Sequence, residues 1–377
     1  MANKRSIAAI IPSEFTVTSS ARIATLWSNY GHIHRVHVEP NNGPTSRSSP
    51  SSSSSLTLIL KSIHPPSLSS DPSESHVRKL LSYNVERWFY HHYSHLLPHQ
   101  VKVAKVYTSN ADDDGNLLLE DLSIGYAFPA SGSLGKEATM CVLKWLAGFH
   151  GTFFRVHHRP PQDGVALRLV PAPKEWKGDE RVEGVWKRGC YWYLDTRREE
   201  LEDMDKEEYA WLLPWVEKVN NAIESEIEKS GTLLHGDVKG ANIVFNRDPY
   251  SHRRRAQLNT DPGSLPPLQC ALYDFQYVGL GLGVLDLIYF LGTSVESALL
   301  SKNEAELLRF YYSSLSEVVV SEEIQIQTYE EFLRQWDLAV VDWYRFMAGW
   351  GFWGNDEWVE KRAKSVVAKW NEGSPMV

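Results

Sequence analysis

Cysteine is scarce. Cys141, Cys190 and Cys270 are the only three in 377 residues. They are too few and too scattered for a disulfide framework or a zinc site, so a reducing compartment is the simpler expectation. No apolar run approaches the ~20 residues that a membrane-crossing helix requires. Positive charge is also short. Lys and Arg number 39 against 47 Asp and Glu, a net charge of −8, which argues against unaided binding to nucleic acid or to an acidic membrane. The opening MANKRSIAAIIP is basic, but its apolar patch is too brief for a signal-peptide core. A cytoplasmic location is expected. An organellar transit peptide is the alternative, because the first stretch is rich in Ser, Thr and Arg and poor in acids. No internal repeat is found, and nothing marks an obligate protein partner.

What is present is a large apolar fraction, 42% with 14 Trp, sufficient for a sizeable core. The length allows two domains or one two-lobed one. HIHRVHV at 32–38 alternates as a strand does, and LTLILKSI at 56–63 is β-rich. The polar low-complexity segment 41–55 between them is expected to be disordered, an expanded hairpin loop. Residues 74–95 are expected to be helical, with Leu81, Val85 and Phe89 on one face. VKVAKVYT and NLLLEDL are expected strands, separated by the acidic turn DDDGN. Beyond about residue 120 the helical period dominates. It shows in KEATMCVLKWLAGFH, in 208–229 up to Gly231, and in 329–350, where Phe332, Trp336, Val340, Trp343, Met347 and Trp350 share a face. Segments 156–190 and 247–269 are expected loop insertions, and the basic run His252–Arg255 is expected to be solvated.

The stretch HGDVKGANIVFN, His235 to Asn246, gathers four polar groups directly ahead of a short apolar run. NIVFN is expected to pair with CALYDF at 270–275, which brings Asn242 and Asp274 together at one edge, with Asp237 on the loop just before. Hard oxygen donors of this kind suit Mg²⁺, and Asp237, five residues earlier, suits the acceptance of a hydroxyl proton.

His235-Gly236-Asp237 with Asn242, followed by Asp274-Phe275-Gln276, resembles the catalytic and metal loops of the protein-kinase-like fold. The HGD form is similar to the aminoglycoside phosphotransferase and choline kinase-like branch. Glu86 within the ExxFY pattern of YNVERWFY, followed later by LLLEDL, is similar to its ecdysteroid-kinase-like members. The resemblance spans about residues 22–350. It implies an α+β, two-lobed fold: a small antiparallel sheet with one main helix over residues 1–121, then a larger helical lobe over 122–377, hinged near Glu120–Ser123. It implies ATP and Mg²⁺ as cofactors and a small-molecule hydroxyl as phosphate acceptor. Asp237 would be the base, with Lys239 as the lysine of a DLKxxN-like loop that contacts the γ-phosphate. Asn242 and Asp274 would bind the metal. Lys61, fixed by Glu86, would hold ATP phosphates, and the backbone from Glu120 to Leu122 would meet adenine. Asp286 would brace the catalytic loop, leaving His235 a structural role.

Two departures from protein kinases argue against a protein substrate. Gly236 stands where they use an arginine, and only 12 residues separate Asp274 from Asp286, with no APE. The expected phosphate-covering turn, near LWSNYGHIHRV, offers one glycine, Gly31, rather than GxGxxG. A catalytically silent pseudokinase is the alternative reading, a Ser/Thr protein kinase the third. The aromatic cluster at 343–358 is expected to pack the core, with walling of the acceptor site as its alternative.

Overall fold

The computed structural model describes residues 7–41, 55–65, 73–108, 115–159, 166–176, 182–251, 266–319 and 325–376. Most of the expected 41–55 loop, most of the acidic turn and the basic run His252–Arg255 lie outside the described residues.

The N-terminal part is built on one antiparallel sheet. A short helix α1 (Ile7–Ile10) precedes β1 (Phe15–Thr25), which turns through residues 26–30 into β2 (Gly31–Pro40). β3 (Leu56–Ile63), α2 (Glu74–His92), β4 (Val106–Tyr107) and β5 (Leu117–Glu120) follow, giving strand order β1-β2-β3-β5-β4. β3 decides the geometry. Its side chains alternate, so Leu58 and Leu60 turn to one face and pack with Ile10, Val36, Val38 and Leu118. Ile59 and Lys61 turn to the other face and line a cleft. α2 is capped by Ser73, whose side chain accepts a hydrogen bond from His76 N. Its buried face includes Val77, Leu81, Val85 and Phe89, four residues apart, with Glu86 beside them.

The rest is mostly helical. β6 (Phe128–Pro129), α3 (Lys136–Thr152), β7 (Leu169–Val170) and β8 (Val185–Trp186) are followed by α4 (Arg198–Glu202), α5 (Leu213–Ser230) and β9 (Thr232–Leu234). Then come β10 (Ile243–Phe245), β11 (Cys270–Leu272), β12 (Gly279–Gly281), α6 (Gly283–Ser294), α7 (Ser297–Val318), α8 (Tyr329–Trp350) and α9 (Asp356–Asn371). Two small sheets, β11-β10-β6 and β7-β8-β12-β9, hold the loops between them.

The structure departs from the sequence reading at four points. β1 is a long strand that the sequence pattern hides, because only two of its eleven residues are even partly buried. The strand expected over VKVAKVYT shortens to Val106–Tyr107; Lys102 bridges instead to Ala271. The 156–190 segment is more than a loop, since β8 pairs in parallel with β12. α8 begins at a capping box between Thr328 and Glu331 and buries Phe332, Trp336, Val340, Trp343 and Met347. Trp350, the sixth member of that face, is 54% exposed instead.

Candidate active site

The loop from His235 to Asn242 runs between β9 and β10. β10 pairs with β11 so that Ile243 stands opposite Leu272, and Tyr273 N donates to Asn242 O at 3.3 Å. Asn242 and the residue before Asp274 are therefore neighbours. From α6, Asp286 accepts hydrogen bonds from His235 N at 2.7 Å and Gly236 N at 2.9 Å. Its Oδ2 also lies 3.1 Å from His150 Nε2, and His150 Nδ1 is 2.8 Å from the Tyr311 hydroxyl. A buried carboxylate needs such partners, and these pin the loop backbone from behind. Gly236 has φ +82°, and a Cβ there would lie 2.2 Å from Tyr277 O, so the turn admits only glycine. His235 is fully buried, with Nε2 3.0 Å from Tyr273 O. Burial holds its pKa below the usual imidazole range, which suits a structural ring.

Asp237 is the most contacted group of the loop. Lys239 Nζ approaches its two oxygens at 3.0 and 2.9 Å. The Tyr289 hydroxyl donates to Oδ1 at 2.8 Å, and Asn242 Nδ2 donates to Oδ2 at 3.0 Å. Burial raises the Asp237 pKa, and the Lys239 ammonium works against that rise. Asn242 also donates to Asp237 O at 2.9 Å. Since both partners are acceptors, the amide nitrogen must face them, and the amide oxygen is left as a donor atom for a cation.

Lys61 meets two carboxylates from different parts of the chain. Its Nζ lies 2.5 Å from Glu86 Oε2 on α2 and 3.1 Å from Asp274 Oδ1 just after β11. Burial alone would lower the Lys61 pKa; Asp274 and Glu86 overcome it and hold the group above its ordinary range. Burial pushes Glu86 up to about 7 against the pull of Lys61. Burial would raise Asp274 too, but Lys61 outweighs it and the net shift is downward. Asp274 itself sits at φ +69°, a left-handed conformation that Asp adopts more readily than most residues. The next residue, Phe275, stacks on Phe89 of α2 at 4.1 Å, so the turn carrying Asp274 is packed onto the helix carrying Glu86.

These groups open onto one cleft of about 580 Å³, lined among others by Ile33, Ile59, Lys61, Glu86, Asp237 and Asp274. Lys239 also lines it, and Asn242 lies directly behind Asp237. Other candidates stand further off. Gly31 is absent from the lining; it opens β2, where a Cβ would meet Ser62 O at 2.0 Å. The turn before it contributes Leu26 and Trp27 to the cleft instead. The Glu120 side chain pairs with Lys102 at 2.6 Å, Leu122 is buried, and Leu119 is the residue of that stretch that faces the cleft. Sequence reasoning missed Tyr289, although it lies three residues after Asp286 and thus on the same side of α6. It also missed Arg78, Tyr191, Arg197 and Tyr277, which line the cleft and carry no local signal.

The sequence profile of the ecdysteroid kinase-like family matches residues 29–323. The chain belongs to that family. Its members are small-molecule kinases of the aminoglycoside phosphotransferase and choline kinase type, and the antiparallel N-terminal sheet with α2 and the mostly helical remainder form their protein-kinase-like fold. Similar solved structures include a microcompartment-associated aminopropanol kinase, 13% identical over 97% of this chain and 96% of that chain, with a TM-score of 0.46. A choline kinase from Streptococcus pneumoniae is 14% identical over 94% of each chain, TM-score 0.36. An amicoumacin kinase solved with AMP-PNP and Ca²⁺ is 13% identical over 98% and 92%, TM-score 0.39. Likeness at that level says nothing of what this kinase phosphorylates. No functionally curated protein matches the sequence. Among the described residues of the kinase, no helix is long and apolar enough to cross a membrane.

Proposed function

We propose that this small-molecule kinase transfers the γ-phosphate of ATP to an alcohol hydroxyl, with Mg²⁺, and that its two lobes meet near residues 121–122. The observation that carries the reading is the meeting of Lys61 with both Glu86 and Asp274 beside Asp237. The donor set fits a hard cation: the Asp274 carboxylate and the Asn242 amide oxygen are the atoms that would hold Mg²⁺. When bound, Mg²⁺ neutralises phosphate charge as it shifts toward the leaving group. Lys61, anchored by Glu86, would hold ATP phosphates. Leu119 and the backbone that follows, through Glu120 and Leu122, would flank the base.

Asp237 would take the proton of the acceptor hydroxyl as that oxygen bonds to the γ-phosphorus. The bond to the bridging oxygen breaks, and ADP leaves with its electron pair. Lys239 would pass from Asp237 to the transferring phosphoryl. Asp286 and Tyr289 keep the base in place, and such transfer depends mainly on positioning and charge.

Asp237→Ala tests this. ADP release over a panel of alcohols should fall by ~10² to 10⁴-fold, with the KM for ATP little changed. Turnover equal to the wild type would refute the role. Mg·ATP binding by the wild type without turnover of any alcohol would identify a pseudokinase instead.

A further inference from the structure

The cleft also carries positive charge, on Arg78 and Arg197, that the proposed phosphate transfer does not use. The carboxylates lining the cleft are Glu86, Asp237 and Asp274. Each is engaged: Glu86 and Asp274 face Lys61, and Asp237 faces Lys239. Arg78, Tyr191, Arg197, Tyr277 and Trp350 are also among the residues that line the cleft. No carboxylate of the lining is left to neutralise an ammonium group.

Arg197 immediately precedes α4, and its side chain is only 6% exposed. Its guanidinium lies 4.6 Å from the Trp350 ring, 5.5 Å from Tyr191 and 5.7 Å from Phe346. Three rings arranged in this way make an aromatic box for a cation, and this one is filled from within. Nη1 of Arg197 reaches Glu200 at 3.1 Å, while Nε is buried without a hydrogen-bond partner. Arg78 is similar. Its Nη2 pairs with Glu74 at 2.6 Å, and its Nε is buried and unpartnered. The partly buried Arg78 repels the buried Arg197 guanidinium, and burial together with Arg78 lowers the Arg197 pKa. Unpaired buried donors and like charges side by side both cost free energy. An incoming carboxylate relieves the repulsion, and its planar pair of oxygens matches a guanidinium edge.

The site joins directly to the chemistry. The Tyr191 ring lies tilted against Tyr277 at 5.3 Å, its hydroxyl is 3.3 Å from Tyr289, and Tyr289 donates to Asp237 at 2.8 Å. Trp350, half exposed over Arg197, offers a flat apolar wall.

We infer that the acceptor is a hydroxy acid: a flat apolar body lying along Trp350 and Tyr277, a hydroxyl at Asp237 and a carboxylate taken by Arg197 and Arg78. The inference rests on the phosphotransferase reading above.

Three matched alcohols separate the classes: 4-(hydroxymethyl)benzoate, benzyl alcohol and 4-(aminomethyl)benzyl alcohol. Calorimetric titration into the wild-type protein with Mg·ADP should show the carboxylate binding at least ~10-fold more tightly than the other two, the scale of a charge-assisted hydrogen bond. Arg197→Gln and, separately, Arg78→Gln should each erase most of that preference while Mg·ADP affinity, the control for folding, holds. An amine or neutral alcohol that binds as tightly as the carboxylate overturns the inference. So does a preference that survives both substitutions. Failure of the underlying reading looks different: ADP release in Asp237→Ala equal to the wild type, whatever the binding preference.

Discussion

Asp237 accepts four hydrogen bonds on two oxygens, from Lys239 twice, Tyr289 and Asn242, which is a full complement for a carboxylate. In the proposed transfer, a hydroxyl giving its proton there would have to displace one donor, and Lys239, 41% exposed, is the one free to move. Its charge would also set the pH range of that transfer. Burial raises the Asp237 pKa and Lys239 pulls it back. Lys239→Met removes the opposing charge, so the pKa climbs further and less of the base is ionised at any acidic pH. The acid limb of kcat should therefore shift to higher pH, with a loss of ~10²-fold at its plateau, comparable to losing one charge-stabilising donor. Rate profiles from pH 4 to 9 read both effects; a limb that stays in place would show that another group titrates.

At the scale of elements, α2 is the piece on which the site depends. Its Phe89 stacks on Phe275 and its Glu86 meets Lys61. Phe89→Ala should cost ~3–5 kcal/mol of stability in urea unfolding and raise the KM for ATP, because the helix then holds Glu86 less firmly. A KM that stays fixed would mean that β3 alone positions Lys61. α2 was legible in advance, as were α3, α5 and α8, because buried faces repeat at the helical period. The pairing of β10 with β11 was legible because two apolar runs end in polar groups of matching chemistry. β1 was not, since a strand exposed on both faces has no alternation to read. β7 and β8 were not, since two residues carry no period. Arg197 sits in TRREELED, which has the composition of a solvated charge run; only the fold turns it toward Trp350. Tyr289 could have been found from its spacing to Asp286. Gly31 was the natural choice for a phosphate turn by residue type, yet the turn faces the cleft with Leu26 and Trp27.

Across the whole molecule, Lys61 ties the N-terminal sheet to the turn after β11 through Asp274. The folded pKa of Asp274 lies below its ordinary value, so the stability it contributes is present above the unfolded carboxylate value of about 3.9 and is lost as pH falls through the lower folded value. Asp274→Asn should thus lower Tm at neutral pH, with the gap to the wild type closing below about pH 4; a gap of constant size down to pH 2 would mean that packing, not charge, is what the substitution removes. The short stretch from Asp274 to Asp286 has a last consequence. Its single hydroxyl is Tyr277, which lines the cleft, so the segment offers no serine or threonine to a protein kinase. The proposed transfer would then need no phosphorylation within this segment, and its flux would follow the supply of the acceptor.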